Sequence, residues 1–211
     1  AKVGVFRPFV ESREGDAFLS LLLNRAGSTT PAEQCVGATW DEFHADPEEA
    51  LARIVDAYRA MAREHDVVII DGSDFTDVAG NPELALNARV AANIGVPVLL
   101  VVSGQNDVED VVASVEVSMA EIADNHARTV AVVANKCLPE TRQAVGEALT
   151  AIEGITSTTL PEVPLLAAPV VREVLDAVEG TLIAGDETLL DREAESVLVC
   201  AMDVSHVLER L

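Results

Sequence analysis

Val67-Val68-Ile69-Ile70, between Asp66 and Asp71-Gly72, is the stretch on which the fold turns. An unbroken apolar run bounded by acids, with no polar alternation, reads as a parallel strand covered on both faces. The same grammar recurs at Val98–Val102, closed by Ser103-Gly104, and at Val130–Ala134, closed by Asn135-Lys136. Helical patterns separate these runs. Asp46-Pro47 followed by Glu49 combines an N-cap acid, a proline at the first helical position and an acid in the first turn. Leu51, Ile54, Val55, Tyr58 and Met61 then recur on one helical face. Val108, Val111, Val112, Val115, Met119 and Ile122 form a second stripe, on a helix capped near Asn106 or Asp107.

Working outward, Val3–Phe6 reads as a strand closed by Arg7-Pro8, because proline does not continue a central ladder. Asp16 and the apolar run Ala17–Leu23 predict a short helix ending near Gly27, whereas residues 28–43 show no clear period. Strands alternating with helical crossovers specify an α/β fold with a doubly wound parallel sheet. Pro164–Ala168 reads as a shorter strand, and Val170–Val178 as a helix closed by Gly180, giving a first domain over residues 1–180. Thr181–Asp191 reads as a linker or hairpin arm. A strand at Ser196–Met202 leading into Val204–Leu211 then marks residues 181–211 as the start of a second, truncated α/β domain.

The composition narrows the function. Of 211 residues 49 % are hydrophobic, enough for a sizeable core, and only 3 % are aromatic, so that core rests on Ala, Val, Leu and Ile. Thirty-six acids against fourteen bases leave a net charge of −22, which repels nucleic acid and anionic membrane surfaces alike. Cys35, Cys137 and Cys200 have no disulfide or zinc spacing and fit reduced cytosolic thiols. No apolar run approaches the roughly 18 residues of a membrane span, and no leader pattern opens the chain, so a cytoplasmic protein is expected.

Ligands of open parallel sheets gather beyond the carboxyl ends of the strands, here Arg7, Asp71, Asp74, Ser103, Asn135 and Lys136. An acid after a buried strand, as at Asp71, is where a nucleotide hydrolase holds magnesium, and equally a residue that merely caps a strand. No G-x-x-x-x-G-K-S/T loop is present to cradle phosphates. Asn135-Lys136 opens a guanine-reading N-K-x-D, but Cys137-Leu138 follow. His44, His65, His126 and His206 are scattered, and no serine stands in a nucleophile elbow. Nothing composes a self-sufficient active site.

Together, Val3-Gly4-Val5-Phe6-Arg7-Pro8, Asp16-Ala17, Asp66–Gly72, Val98 to Gln105 and Val130–Lys136 resemble the N-terminal region of bacterial phosphate acetyltransferases, which is similar to dethiobiotin synthetase. Pro164-Leu165-Leu166, Ala184-Gly185-Asp186, Ser196–Cys200 and His206–Glu209 extend the resemblance into that family's middle domain. The resemblance implies a P-loop NTPase-like fold whose first strand and P-loop are missing from this sequence. It also implies Asp16 and Asp71 as magnesium ligands and Asn135 as a reader of adenine, so that Mg-ATP is the cofactor in view, with Arg7-Pro8 where the synthetases have Lys-Pro.

The family's reaction moves an acetyl group between coenzyme A and phosphate and requires no nucleotide. Its catalytic domain, which binds acetyl-CoA and phosphate, lies C-terminal to everything in this sequence. The chain is therefore expected to be a catalytically silent regulatory or assembly region, with its own catalytic domain and a homo-oligomer as partners. The other reading is an ATP-dependent, dethiobiotin synthetase-like ligase truncated at its N-terminus. A strand beginning at Ser196 favours the first, because a free-standing synthetase finishes near Val178.

Overall fold

The computed structural model describes residues 1–13, 15–73 and 82–194. Asp74 and the strand and helix expected over residues 196–211 lie outside the described residues. The chain divides into Ala1–Leu160 and Pro161–Leu211, which are taken in turn.

In the first unit β1 (Val3–Val10) leads through α1 (Ala17–Ala26) and a 3-10 turn (Ala32–Gln34) to β2 (Val36–Thr39), α2 (Trp40–Ala45) and α3 (Pro47–Ala62). β3 (Val67–Ile70), α4 (Pro82–Ile94), β4 (Val98–Ser103), α5 (Val108–Asp124), β5 (Thr129–Cys137), α6 (Arg142–Thr150) and β6 (Thr156–Pro161) follow. Parallel strands alternate with helices, the expected α/β class. Among the described residues they form two three-stranded sheets, β2-β1-β3 and β4-β5-β6, instead of one continuous sheet.

The helix ends obey the local chemistry. Asp16 caps α1 by accepting the Leu19 amide, and Gly27 closes that helix in the left-handed region at φ 61°, where a side chain is disfavoured. Asp46 accepts the Glu49 amide at the start of α3, with Pro47 in its first turn. Thr39 and Glu42 form a capping box that starts α2.

Proline 8 does not end the first strand, as the sequence suggested. β1 changes partner there: Val3–Phe6 pair with β3, and Arg7, Phe9 and Val10 with β2. Arg7 donates its amide to the Cys35 carbonyl on the β2 side, while the β3 ladder closes with Asp71 N–H to the Phe6 carbonyl. Successive residues of a strand address opposite neighbours, so the missing N–H of Pro8 faces the β3 side one step beyond the end of β3 and no ladder bond is lost.

Two apolar clusters hold the unit. Phe6, Phe9, Leu19, Cys35 and Ile54 centre the first, and Val111, Val115, Ile122, Val132 and Leu149 the second. Each such aliphatic or aromatic side chain contributes about 1.5–3 kcal/mol on full burial. The expectation that β3 and β4 are covered on both faces is not met. Val67 and Ile69 are 51 % and 57 % exposed, and Leu99 and Val101 57 % and 53 %. Their alternate residues do pack, Val68 and Ile70 into the first cluster and Leu100 and Val102 into the second.

In the second unit the expected strand at Pro164–Ala168 is instead a 3-10 turn, Pro164–Ala167. Proline fixes the first φ, and the Leu166 and Ala168 amides then reach back to the Val163 and Leu165 carbonyls. α7 (Val171–Ala177) follows, and an Arg172–Asp191 ion pair of 2.9 Å joins it to a 3-10 turn, Glu187–Asp191. Leu190 is the one buried large hydrophobic among this unit's described residues, while Leu166 and Ile183 are 85 % and 97 % exposed.

Candidate functional site

The middle of β1, the carboxyl end of β3 and the start of α1 bring three charged side chains together. Arg7 projects from β1, Asp16 is the α1 cap, and Asp71 follows β3. Arg7 Nη1 donates to Asp16 Oδ2 at 2.5 Å, and Arg7 Nε lies 2.9 Å from Asp71 Oδ2. The guanidinium carbon also sits 5.3 Å from the centre of the Phe18 ring, within cation–π range. The cluster is recessed, with side-chain exposures of 18 %, 15 % and 30 % for Arg7, Asp16 and Asp71. Burial pushes the Asp71 carboxyl above its ordinary range, Arg7 opposes that rise, and the Asp16 charge adds to it.

Asp16 and Asp71 are thus neighbours, as a shared magnesium ion requires. The donor set does not fit one. Asp16 commits Oδ1 to the Leu19 amide at 2.8 Å and Oδ2 to Arg7, and Asp71 Oδ2 faces the same guanidinium. No group of three or more His, Cys, Asp or Glu side chains suited to a metal occurs among the described residues.

Asn135 is not part of this cluster. It lies in the β4-β5-β6 sheet, paired with Ser103 in the register of β4 and β5. Its Oδ1 accepts the amide of Lys136 at 2.9 Å, and Lys136 takes a left-handed φ of 58°. Its carbonyl accepts the Gly104 amide at 2.6 Å. Gly104 is required by this close approach: a Cβ there would fall 2.3 Å from Cys137 Sγ. Ser103 Oγ accepts the Gln105 amide at 3.4 Å, so the polar ends of β4 and β5 are spent largely on their own turns.

Arg7 is a strand-end candidate in the sequence, but nothing in the sequence foretells its place between two carboxylates, and it lies within β1 instead of after it. One residue, Asn87, is not singled out by the sequence at all. Asn87, on α4, brackets Ser73 by accepting its amide at 3.0 Å and donating to its carbonyl at 2.9 Å, which fixes the turn after Asp71. A lone amide inside a helical pattern carries no such signal. A cavity of about 210 Å3 lined by Thr30, Glu33, Met61 and His65 adjoins the amino end of β1, where His65 lies against Gly4, away from these carboxyl ends.

Parallel strands with alternating helices, and an acid beyond β3, define an α/β protein of the P-loop NTPase-like class. Residues 1–176 match the family model described as an AAA domain, and the chain belongs to that family. It is similar to the phosphate acetyltransferase of Synechocystis sp., 25 % identical over 168 residues that span 78 % of this chain and 24 % of that protein. The phosphate acetyltransferase of Nitratidesulfovibrio vulgaris is 23 % identical over 224 residues, 99 % of this chain and 32 % of that protein. The chain spans about a quarter to a third of the length of these relatives. A solved arginine decarboxylase from Paramecium bursaria Chlorella virus overlays 76 % of this chain and 58 % of its own at 10 % identity and a TM-score of 0.35, a likeness too slight to bear on fold or function. Among the described residues no helix is long and apolar enough to cross a membrane.

Proposed function

We propose that this chain is a non-catalytic, regulatory or assembly region of a phosphate acetyltransferase, whose whole protein interconverts acetyl-CoA plus phosphate with acetyl phosphate plus coenzyme A. The observation that carries the reading is the pair of phosphate acetyltransferase relatives, aligned over 78 % and 99 % of this chain but only 24 % and 32 % of themselves. Chemistry then belongs to the part of those proteins that this chain does not match. Among the described residues the strand ends support that division: they offer a closed ion-pair cluster and self-satisfied turns, with no nucleophile beside a base. The partners are the protein's own catalytic domain, which binds acetyl-CoA and phosphate, and further copies in a homo-oligomer, in the cytoplasm where those substrates are held. The half-bare faces of β3 and β4 suit such packing. The ATP-dependent ligase reading needs Asp16 and Asp71 to hold a metal, and here both face the Arg7 guanidinium.

The test is removal of residues 1–160 from the whole protein, followed by acetyl-CoA and phosphate kinetics and sedimentation. Retained acetyl transfer, with a changed oligomer or a changed response of rate to metabolites, is expected. Loss of turnover in a protein that still folds and assembles as before would place chemistry in this region and refute the proposal.

A further inference from the structure

We infer that Arg7 is the resident cation of the Asp16–Asp71 pair, so that the carboxylates a magnesium ion would take form instead an internal clamp closed by this chain's own guanidinium. The inference stands whether or not the parent protein transfers acetyl groups.

Three observations carry it. The guanidinium lies between the carboxylates, with Nη1 2.5 Å from Asp16 Oδ2 and Nε 2.9 Å from Asp71 Oδ2, the latter an ion-pair contact without hydrogen-bond geometry. Each partner is recessed, so water screens the cluster poorly and one resident positive charge strongly disfavours a second. Asp16 cannot turn to offer its other oxygen, because Oδ1 caps α1 through the Leu19 amide. An arginine, unlike a lysine or histidine, cannot vacate the position by losing a proton. A divalent ion therefore has to expel a permanent cation that also rests on the Phe18 ring.

The consequence is structural. One side chain ties β1, the start of α1 and the end of β3 with no need of metal. Arg7 also sets the balance of the cluster: among the described residues two carboxylates face one guanidinium. Removing the guanidinium leaves two carboxylates side by side, an arrangement that recruits a divalent cation.

Mn2+ is the probe, with binding followed by electron paramagnetic resonance and by the Mg2+ dependence of the melting temperature, on the 211-residue chain and its Arg7→Met variant. The original chain should show no saturable Mn2+ site and no Mg2+-dependent melting shift at millimolar ion. Arg7→Met should bind Mn2+ at least tenfold more tightly and melt higher with Mg2+, and Asp71→Asn in that background should abolish both. Saturable binding to the original chain that Asp71→Asn removes would overturn the inference, as would a folded Arg7→Met chain with no gain in affinity. If Arg7→Met folds only with the divalent ion present, that rescue is the gain. If it does not fold at all, Arg7→Lys decides: its single ammonium cannot span both acids, so Mn2+ affinity above that of the original chain supports the clamp and equal affinity refutes it.

Discussion

Replacing Gly104 with alanine would put a methyl carbon 2.3 Å from Cys137 Sγ and 3.1 Å from both the Asn135 carbonyl oxygen and Cys137 Cα. Comfortable contact begins at roughly 3.5 Å, so the sulfur has to retreat by about an ångström. It has little room, because Cys137 is fully buried and its Sγ is directed at the Ala134 carbonyl at 3.3 Å. Rotating the thiol relieves only one of the three contacts; the other two are to backbone. Overpacking of this kind costs about 1–3 kcal/mol, and the backbone contacts put Gly104→Ala toward the upper end. Cys137→Ala alone removes one buried sulfur and should cost about 1–2 kcal/mol. Because the sulfur clash disappears in the double variant, its cost should fall below the sum of the singles by about 1–2 kcal/mol. Urea titration followed by circular dichroism reads each value from the midpoint at constant slope. A Gly104→Ala chain within about 0.5 kcal/mol of the original, or strict additivity in the cycle, would refute the packing assigned to the ends of β4 and β5.

Other outcomes follow from the clamp and the sheet faces. Burial holds the Asp71 carboxyl above its unfolded value while Arg7 opposes the rise, so this acid favours the folded state at low pH and loses that preference as pH climbs through its raised range. Arg7→Met removes the opposing charge and widens that window upward; melting scans run upward from the ordinary carboxylate range should show the variant losing more stability with rising pH than the original chain. Asp16→Ala removes both a helix cap and an ion-pair partner and should cost about 1–2 kcal/mol in urea unfolding. Asn87→Ala should cost about 1–2 kcal/mol, with faster amide exchange at Ser73 as the local readout. Ile69→Thr, on the half-bare face of β3, should stay within about 1 kcal/mol of the original chain, whereas Val132→Thr puts a hydroxyl into a closed core and should cost about 1–3 kcal/mol, both by urea midpoint.

The legible parts of the fold were those written in local chemistry. Asp46-Pro47 fixed the start of α3, Asp16 and Gly27 bounded α1, and the apolar runs at Val67, Val98 and Val130 became β3, β4 and β5. β2 was missed because Val36-Gly37-Ala38-Thr39 is short, carries a glycine and has no period; pairing with Arg7, Phe9 and Val10 makes it a strand. Pro8 misled because its tolerance depends on where β3 stops, which residues 3–10 do not encode. Cover on both faces could not be judged from Val67–Ile70 alone, since it depends on what else lies over the sheet. In the candidate site, the neighbourhood of Asp16 and Asp71 was foreshadowed by family resemblance, but the guanidinium between them is tertiary, joining β1 to the start of α1 and the end of β3.

The central claim, that acetyl transfer belongs to the parent protein and not to this region, is tested most directly by following phosphate-dependent consumption of acetyl-CoA, with the whole reading frame and the 211-residue chain assayed side by side. Turnover by the whole protein with none by the 211-residue chain is the predicted result; turnover by that chain, or silence in both, would contradict the account.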